Sequence, residues 1–475
     1  MRRTYSLAAS VALLLIGQHA GLTAQNLLVH GGTVVTSEGS FEADVLVRAG
    51  VIAAVGRDLS AESGVRRIDA SGLLVLPGGV DPHVHLGGRW VDDYRTGSMA
   101  ALAGGITTIS NFASAGRGSD LTEVIDRQAD LIAQQAIADV ILHTTINDPE
   151  AHAPQMEALA ATGQTSIKIF MNFEGFDPNA SAFLQMIAAA GDAGVLTMIH
   201  AEDASILANQ AAELEAQGRT SVAYQPEARP VLAEEVAMMR AVAMAEQTGS
   251  PVYAVHVSSE RALRVAQAAR AQGLPFFIET RPIYLHLTRE RFDGPDAGLY
   301  VGQPPLREQS DQDALWEALA NGTIDVVGTD HVAYSREDKL DPSQTITNHR
   351  AGMNHLQMLR PLLFSDGVLA GRISVERFVE VTATNPAKLF GIFPEKGTIA
   401  VGSDADLVLW DPEETRTVRD QDMFSATGFS IYAGWEVTGW PVVTLRRGEV
   451  VFEGGEITGQ AGTGRLLERS RWEER

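Results

Sequence analysis

Short apolar alternations broken by glycine turns open the chain: Leu27-Leu28-Val29-His30, Gly31-Gly32, Thr33-Val34-Val35, Ala43-Asp44-Val45-Leu46-Val47 and Val51-Ile52-Ala53-Ala54-Val55. Period-two alternation with glycine punctuation predicts β-strands and hairpins from Asn26 to Leu76. The same texture returns near the other end, in Asp406-Leu407-Val408-Leu409-Trp410, Val442-Val443-Thr444-Leu445 and Glu449-Val450-Val451-Phe452. Between these ends, apolar β-branched runs alternate with amphipathic stretches such as Leu121–Gln135, Ala204–Ala216, Val231–Gln247 and Arg261–Gln272. That alternation marks βα units around a parallel sheet. Candidate strands end near His85, Phe112, Ile146, Phe173, Glu202, Ser259, Ile283 and His331, and eight such units close a TIM barrel. A doubly wound open sheet competes, but no G-x-G-x-x-G opens a helix after a strand and no phosphate loop occurs. The pattern therefore predicts an α/β chain, with residues 77–387 as a (β/α)8 barrel and residues 25–76 and 388–475 joining as a small β-sandwich domain.

Composition narrows the function classes. The 475 residues include 45 glycines and 19 prolines without a period, which excludes collagen-like and low-complexity readings. With no cysteine, disulfide stapling is excluded as well. Sixty acidic against 37 basic side chains give a net charge of −23, which repels phosphate backbones and anionic lipid, and no basic patch offsets it. Nucleic-acid partners are not expected. Arg2 and Arg3 precede an apolar run from Leu7 to Ile16, and Leu22-Thr23-Ala24 suits cleavage before Gln25. Residues 1–24 thus read as a secretory signal peptide, with the arginine pair leaving a twin-arginine route open. The run is shorter than the roughly 20 residues a permanent span needs. The expectation is an exported protein, periplasmic or secreted, without stable membrane insertion.

The candidate chemistry lies where the strands end. His83 and His85 fall on the first candidate strand, His143 on the third, His200 on the fifth, His256 on the sixth and His331 on the eighth. In a TIM barrel that end is the active-site face. Two residues apart on a strand, His83 and His85 point the same way and can share a metal. His200, His256 and Asp330 repeat the placement on separate strands. Lys168 sits inside the apolar Ser166-Ile167-Lys168-Ile169-Phe170-Met171, where an unpaired ammonium is costly. A cationic lysine does not ligate a metal; converted to a carbamate by carbon dioxide, it becomes an anionic oxygen donor able to bridge two cations. A buried ion pair is the alternative. For His143 and His331 the preferred reading is hydrogen bonding to backbone or to groups behind the site.

Asp81-Pro82-His83-Val84-His85, the Ser-Ile-Lys-Ile-Phe-Met segment, Met198-Ile199-His200-Ala201-Glu202, Val255-His256-Val257-Ser258 and Gly328-Thr329-Asp330-His331 together resemble the amidohydrolase superfamily, and within it the dihydropyrimidinase/hydantoinase branch. Pro304-Pro305-Leu306-Arg307, Asn385-Pro386-Ala387-Lys388 and Gly402-Ser403-Asp404-Ala405-Asp406-Leu407 extend the resemblance over essentially the whole chain after the leader. It implies that His83, His85, carbamylated Lys168 and Asp330 hold one divalent metal, and that Lys168, His200 and His256 hold the other. A bridging hydroxide would attack the amide, with Asp330 passing its proton to the departing nitrogen. Mixed nitrogen and oxygen ligands favour zinc, although manganese, cobalt or iron suit the same set. Relatives also imply a homo-oligomer.

Departures from the branch bear on substrate. Where a hydantoinase carries an oxyanion-binding tyrosine, five residues after the lysine, this sequence has Phe173. Loss of such a donor costs on the order of 10²–10³ in rate. Asn172 and Tyr284 are the conceivable substitutes. Gln303 replaces the serine before Pro-Pro-Leu-Arg, and the asparagine contact expected after the eighth strand falls at Asn348. Gly87 stands where dihydroorotases carry an arginine, which speaks against orotate chemistry. The reading is a binuclear hydrolase of a cyclic amide, imide or ureide. The alternatives are a hydrolase of linear N-acyl or N-carbamoyl amino acids or dipeptides, and a non-catalytic scaffold.

Overall fold

The computed structural model describes residues 26–60 and 64–472, so the expected signal peptide lies outside the described residues. The middle of the chain folds as the alternation predicts. Parallel strands Gly79–Asp81, Ile106–Ser114, Asp139–Thr145, Ser166–Phe170, Leu196–His200, Val252–Ala254, Phe276–Thr280 and Val326–Val327 follow one another in an eight-stranded sheet. The sheet closes into a barrel through two short continuations, Val84–His85 and His331–Val332, which pair parallel as His331 with Val84 and Val332 with His85. The segments carrying the first and last candidate ligands thus make the closing seam. Val80, Ile141, Leu196, Met198, Tyr253 and Val326 are buried in one apolar cluster.

The amphipathic stretches appear as helices Leu121–Gln135, Ala204–Ala216, Val231–Thr248 and Glu260–Ala271. Asp120 and Asp203 cap the first two by accepting backbone N–H groups of the opening turn, which satisfies donors with no partner inside the helix. Among the described residues no helix is long and apolar enough to cross a membrane.

Both β-rich ends meet as predicted in one separate β-rich domain, where their strands hydrogen-bond into a nine-stranded sheet. The junction is Leu74–Pro77 lying antiparallel to Leu407–Thr417. Leu27, Val29, Val45, Ile52, Leu407 and Leu445 share the core of this domain. The last described stretch leaves the sheet and returns to the barrel: Leu466 bridges Val140, Arg469 donates to Ser166 Oγ at 2.8 Å, and Trp472 packs on Phe277. It covers the N-terminal ends of the strands, opposite the ends that carry the histidines.

Candidate active site

A cavity of about 460 Å³ opens at the C-terminal ends of the barrel strands, and His83, His85, Lys168, His200, His256 and Asp330 all line it. Five strands or strand ends deliver these six side chains. On the first, His83 Nε2 and His85 Nε2 converge on Asp330 Oδ1, at 3.2 and 3.0 Å. Facing them, His200 Nδ1 and His256 Nε2 lie 2.9 Å apart. Lys168 is fully buried, its Nζ has no hydrogen-bond partner among the described residues, and the rings of Phe112 and Phe170 flank it.

Groups behind the cavity fix these orientations. Glu279 Oε1 contacts His83 Nδ1 at 2.7 Å and accepts the His256 backbone N–H at 2.9 Å, while its Oε2 accepts from the Tyr253 hydroxyl at 2.9 Å. Glu202 Oε2 contacts His200 Nε2 at 2.7 Å and is itself gripped by Arg229. A carboxylate behind an imidazole holds the proton on the far nitrogen and turns a lone pair inward. Burial keeps all four imidazoles below the ordinary range and so neutral. Asp81 ties the first strand to the eighth by accepting the Thr329 hydroxyl at 2.6 Å and the backbone N–H of Thr329 and His83. No side chain can replace hydrogen at Gly328 easily, since a Cβ there would lie 2.8 Å from Glu279 Oε2.

Two of the six residues hold a left-handed backbone, His256 at φ 43° and Asp330 at φ 49°. Non-glycine residues adopt this region at a cost, and such strain gathers at functional sites. It also ends the strands early. The sixth strand stops at Ala254 instead of continuing toward Ser259, and Asp330 splits the eighth in two.

Burial lowers the Lys168 amine to about 8, partly countered by Asp330 and Glu279. Burial would raise Asp330, but Arg281, His83 and His85 hold it well below the usual carboxylate range. Arg281 is wholly buried; its Nη1 lies 3.1 Å from Asp330 Oδ2 and its Nε donates to the Thr329 carbonyl at 2.9 Å. The residues could hold two cations: neutral nitrogens converge from two sides on a carboxylate and an unpartnered amine.

Asn172, Phe173 and Gln303 also line the cavity, Gln303 Nε2 lying 3.0 Å from His349 Nε2. Two expectations fail. Asn348 is exposed in a tight turn, where its N–H and C=O both bond Thr345, and the chain reaches the cavity only at Ala351 and Gly352. Tyr284 is buried away from the cavity and donates its hydroxyl to the Pro304 carbonyl at 2.7 Å, so it offers no oxyanion contact. His143 and His331 serve the structure: His143 bonds Ser166 Oγ and the Pro82 carbonyl, and His331 bonds Asp92. Sequence reasoning missed Glu279, Arg281, Asp81 and the polar lining residues Ser114, Thr145 and Asn147. Glu279 carries the same signal as Lys168, a lone charge in an apolar strand, Phe276-Phe277-Ile278-Glu279.

Fold and site together define a metal-dependent amidohydrolase, and residues 74–451 match the amidohydrolase family, to which the chain therefore belongs. Its relatives place it in the hydantoinase branch. It is 35% identical over 462 residues to the D-hydantoinase of Ralstonia pickettii, covering 94% of this chain and 100% of that protein. The D-phenylhydantoinase of Escherichia coli is 35% identical over 452 residues, covering 93% and 98%. The crystal structure of dihydropyrimidinase from Brevibacillus agri matches with a TM-score of 0.90 at 35% identity, covering 94% of this chain and 99% of that one.

Proposed function

We propose that the protein hydrolyses the ring amide of a cyclic ureide, imide or amide with two divalent cations, zinc first among them. The observation that carries this reading is Lys168: a buried amine without a hydrogen bond, in a cavity lined by four histidines and Asp330. Held near 8 by burial, a fraction of that amine is neutral at physiological pH and adds to carbon dioxide, forming one N–C bond and releasing one proton. With that carbamate, His83, His85 and Asp330 would hold one cation and His200 and His256 the other. When bound, such a pair supplies Lewis acidity toward the amide carbonyl and lowers the pKa of water toward neutrality.

The chain's own residues do the rest. Arg281 holds Asp330 Oδ2, so Oδ1 is the oxygen turned toward His83 and His85. Oδ1 accepts the proton of the attacking water and returns it to the leaving nitrogen as the C–N bond breaks. Phe112, Trp90 and Phe173 wall the cavity with apolar surface that limits bulk water. Phe173 has no donor, so Asn172 or Asn147, both lining residues, supply the contact to the carbonyl oxygen.

The test is elemental analysis of the purified protein together with turnover of hydantoins, dihydropyrimidines, N-carbamoyl and N-acyl amino acids. About two metals per chain with ring opening is the expected result. Turnover of linear substrates alone transfers the reading to linear amides, and absence of both metal and turnover overturns the enzyme in favour of a scaffold.

A further inference from the structure

We propose that the substrate carries a carboxylate beyond the bond that is broken, and that Arg89 and Arg350 bind it at the mouth of the cavity. The inference rests on the hydrolase reading above and names its substrate class. The cavity around Lys168 continues into a second, polar recess of about 490 Å³; Arg89, Gln303 and Ala351 line both, and Arg350 lines the recess. Neither guanidinium has a carboxylate within 4.0 Å among the described residues.

Both arginines are exposed at the rim; a ring contact places Arg89, and backbone hydrogen bonds fix the chain at Arg350. Arg89 lies 4.0 Å over the Trp90 ring, and Trp90 packs edge-on against Tyr334 at 5.5 Å. The Arg350 carbonyl accepts from Lys339 Nζ at 2.7 Å, and its N–H donates to Gln344 Oε1 at 2.5 Å. The other ionisable groups of the recess are Asp338, Tyr334 and His349. Burial raises Tyr334 and lowers His349 to about 4, so both are neutral at pH 7. The rim therefore carries two positive charges against one negative.

That local sign opposes the rest of the molecule. A chain with 60 acidic and 37 basic side chains repels anions in general, and an anionic substrate needs a reversed field at the cavity mouth. A guanidinium presents paired N–H donors that match a carboxylate. The carboxylate has two sources within the proposed chemistry: a substituent on a cyclic ureide, or the carboxyl group of a linear N-carbamoyl amino acid.

The experiment uses the purified, metal-loaded protein and two matched pairs. The first is 5-carboxymethylhydantoin against its neutral amide, 5-carbamoylmethylhydantoin; the second is N-carbamoylalanine against N-carbamoylalaninamide. We expect kcat/KM for an acid to exceed that for its amide by on the order of tenfold at low salt, with the ratio falling as ionic strength rises. In Arg89→Gln/Arg350→Gln the ratio falls toward unity. A preference confined to the cyclic pair places the carboxylate on a ring, and one confined to the linear pair places it on an amino acid. Amides turned over as well as their acids in both pairs, or a ratio untouched by the double variant, overturn the proposal. If none of the four reacts, turnover of the wider panel above tests the hydrolase reading, and calorimetric binding of the same four compounds decides the anion site separately. Tighter binding of the acids, lost in the double variant, keeps it; equal binding overturns it.

Discussion

Lys168 occupies a position where a structural lysine would have a partner and this one has none. Its buried amine destabilises the metal-free fold, by about 1–3 kcal/mol for a group left without a hydrogen bond. Lys168→Met removes that amine while roughly keeping its volume. The variant should lose bound metal and turnover, yet when both proteins are stripped of metal it should be the more stable, as read by urea denaturation. The sign with pH follows from a folded pKa of about 8, below the 10.5 of the free side chain. Between these values the unfolded chain binds more protons, so wild-type stability rises with pH and the gap to Lys168→Met narrows. A stripped variant less stable than stripped wild type would make Lys168 a structural residue. Asp330→Asn separates two roles differently: it should retain most of its metal by elemental analysis while kcat falls by on the order of 10²–10⁴. Turnover left intact would remove Asp330 as the proton carrier. These residues were legible in the sequence because chemistry demands unusual types at strand ends. Arg281 was not, because nothing in Thr280-Arg281-Pro282 tells whether a guanidinium turns inward to Asp330 or out to solvent.

At the scale of elements, pattern located most of the fold, and failures cluster where local geometry departs from periodicity. Helices Leu121–Gln135 and Ala204–Ala216 occupy the residues their amphipathic pattern predicts. The sixth strand was overextended because the left-handed His256 breaks a ladder that the apolar run Val255-His256-Val257 does not announce. In the segment from Tyr334 to Gln357, which departs from the family pattern, Asn348 was misplaced, since the path there is set by tertiary contacts. Lys339 supplies those contacts: Nζ donates to the carbonyls of Val301 at 2.9 Å, Arg350 at 2.7 Å and Gly352 at 2.7 Å. Gly352 completes the anchor at φ 139°, where a Cβ would meet Val332 at 2.3 Å. Three carbonyls saturate one ammonium, so Lys339→Met leaves three acceptors unmet in a buried site. The expected loss is about 3 kcal/mol in chemical denaturation. A loss under about 0.5 kcal/mol would mean that the loop holds its path without the lysine.

For the whole molecule, a buried charge cluster lies at the join between barrel and β-rich domain, beside the apolar core that the two share. Lys396 Nζ lies 2.7 Å from Asp139, 2.8 Å from Asp404 and 2.9 Å from Asp406, and Arg447 also pairs with Asp139. Asp139 begins the third barrel strand; Asp404, Asp406 and Arg447 flank strands of the nine-stranded sheet. The three carboxylates are close enough for a metal site, but the ammonium already fills their centre. Burial would raise Asp139, yet Lys396, Arg447 and Arg446 hold it well below the usual carboxylate range. Its contribution to stability is therefore present above the unfolded carboxylate pKa and is lost as pH falls through the folded one. Removing the cation reverses the sign. In Lys396→Met Asp139 and Asp404 lose the Lys396 ammonium, burial then favours their protonated forms, and protonation relieves the variant as pH falls. Breaking such a buried pair costs about 3–5 kcal/mol. The full deficit should appear near pH 7 and shrink toward pH 4, measured as the difference in unfolding free energy between variant and wild type. A deficit that stays constant over that range would show that Lys396 acts through packing of its aliphatic stem and not as the counter-charge that locks the two domains together.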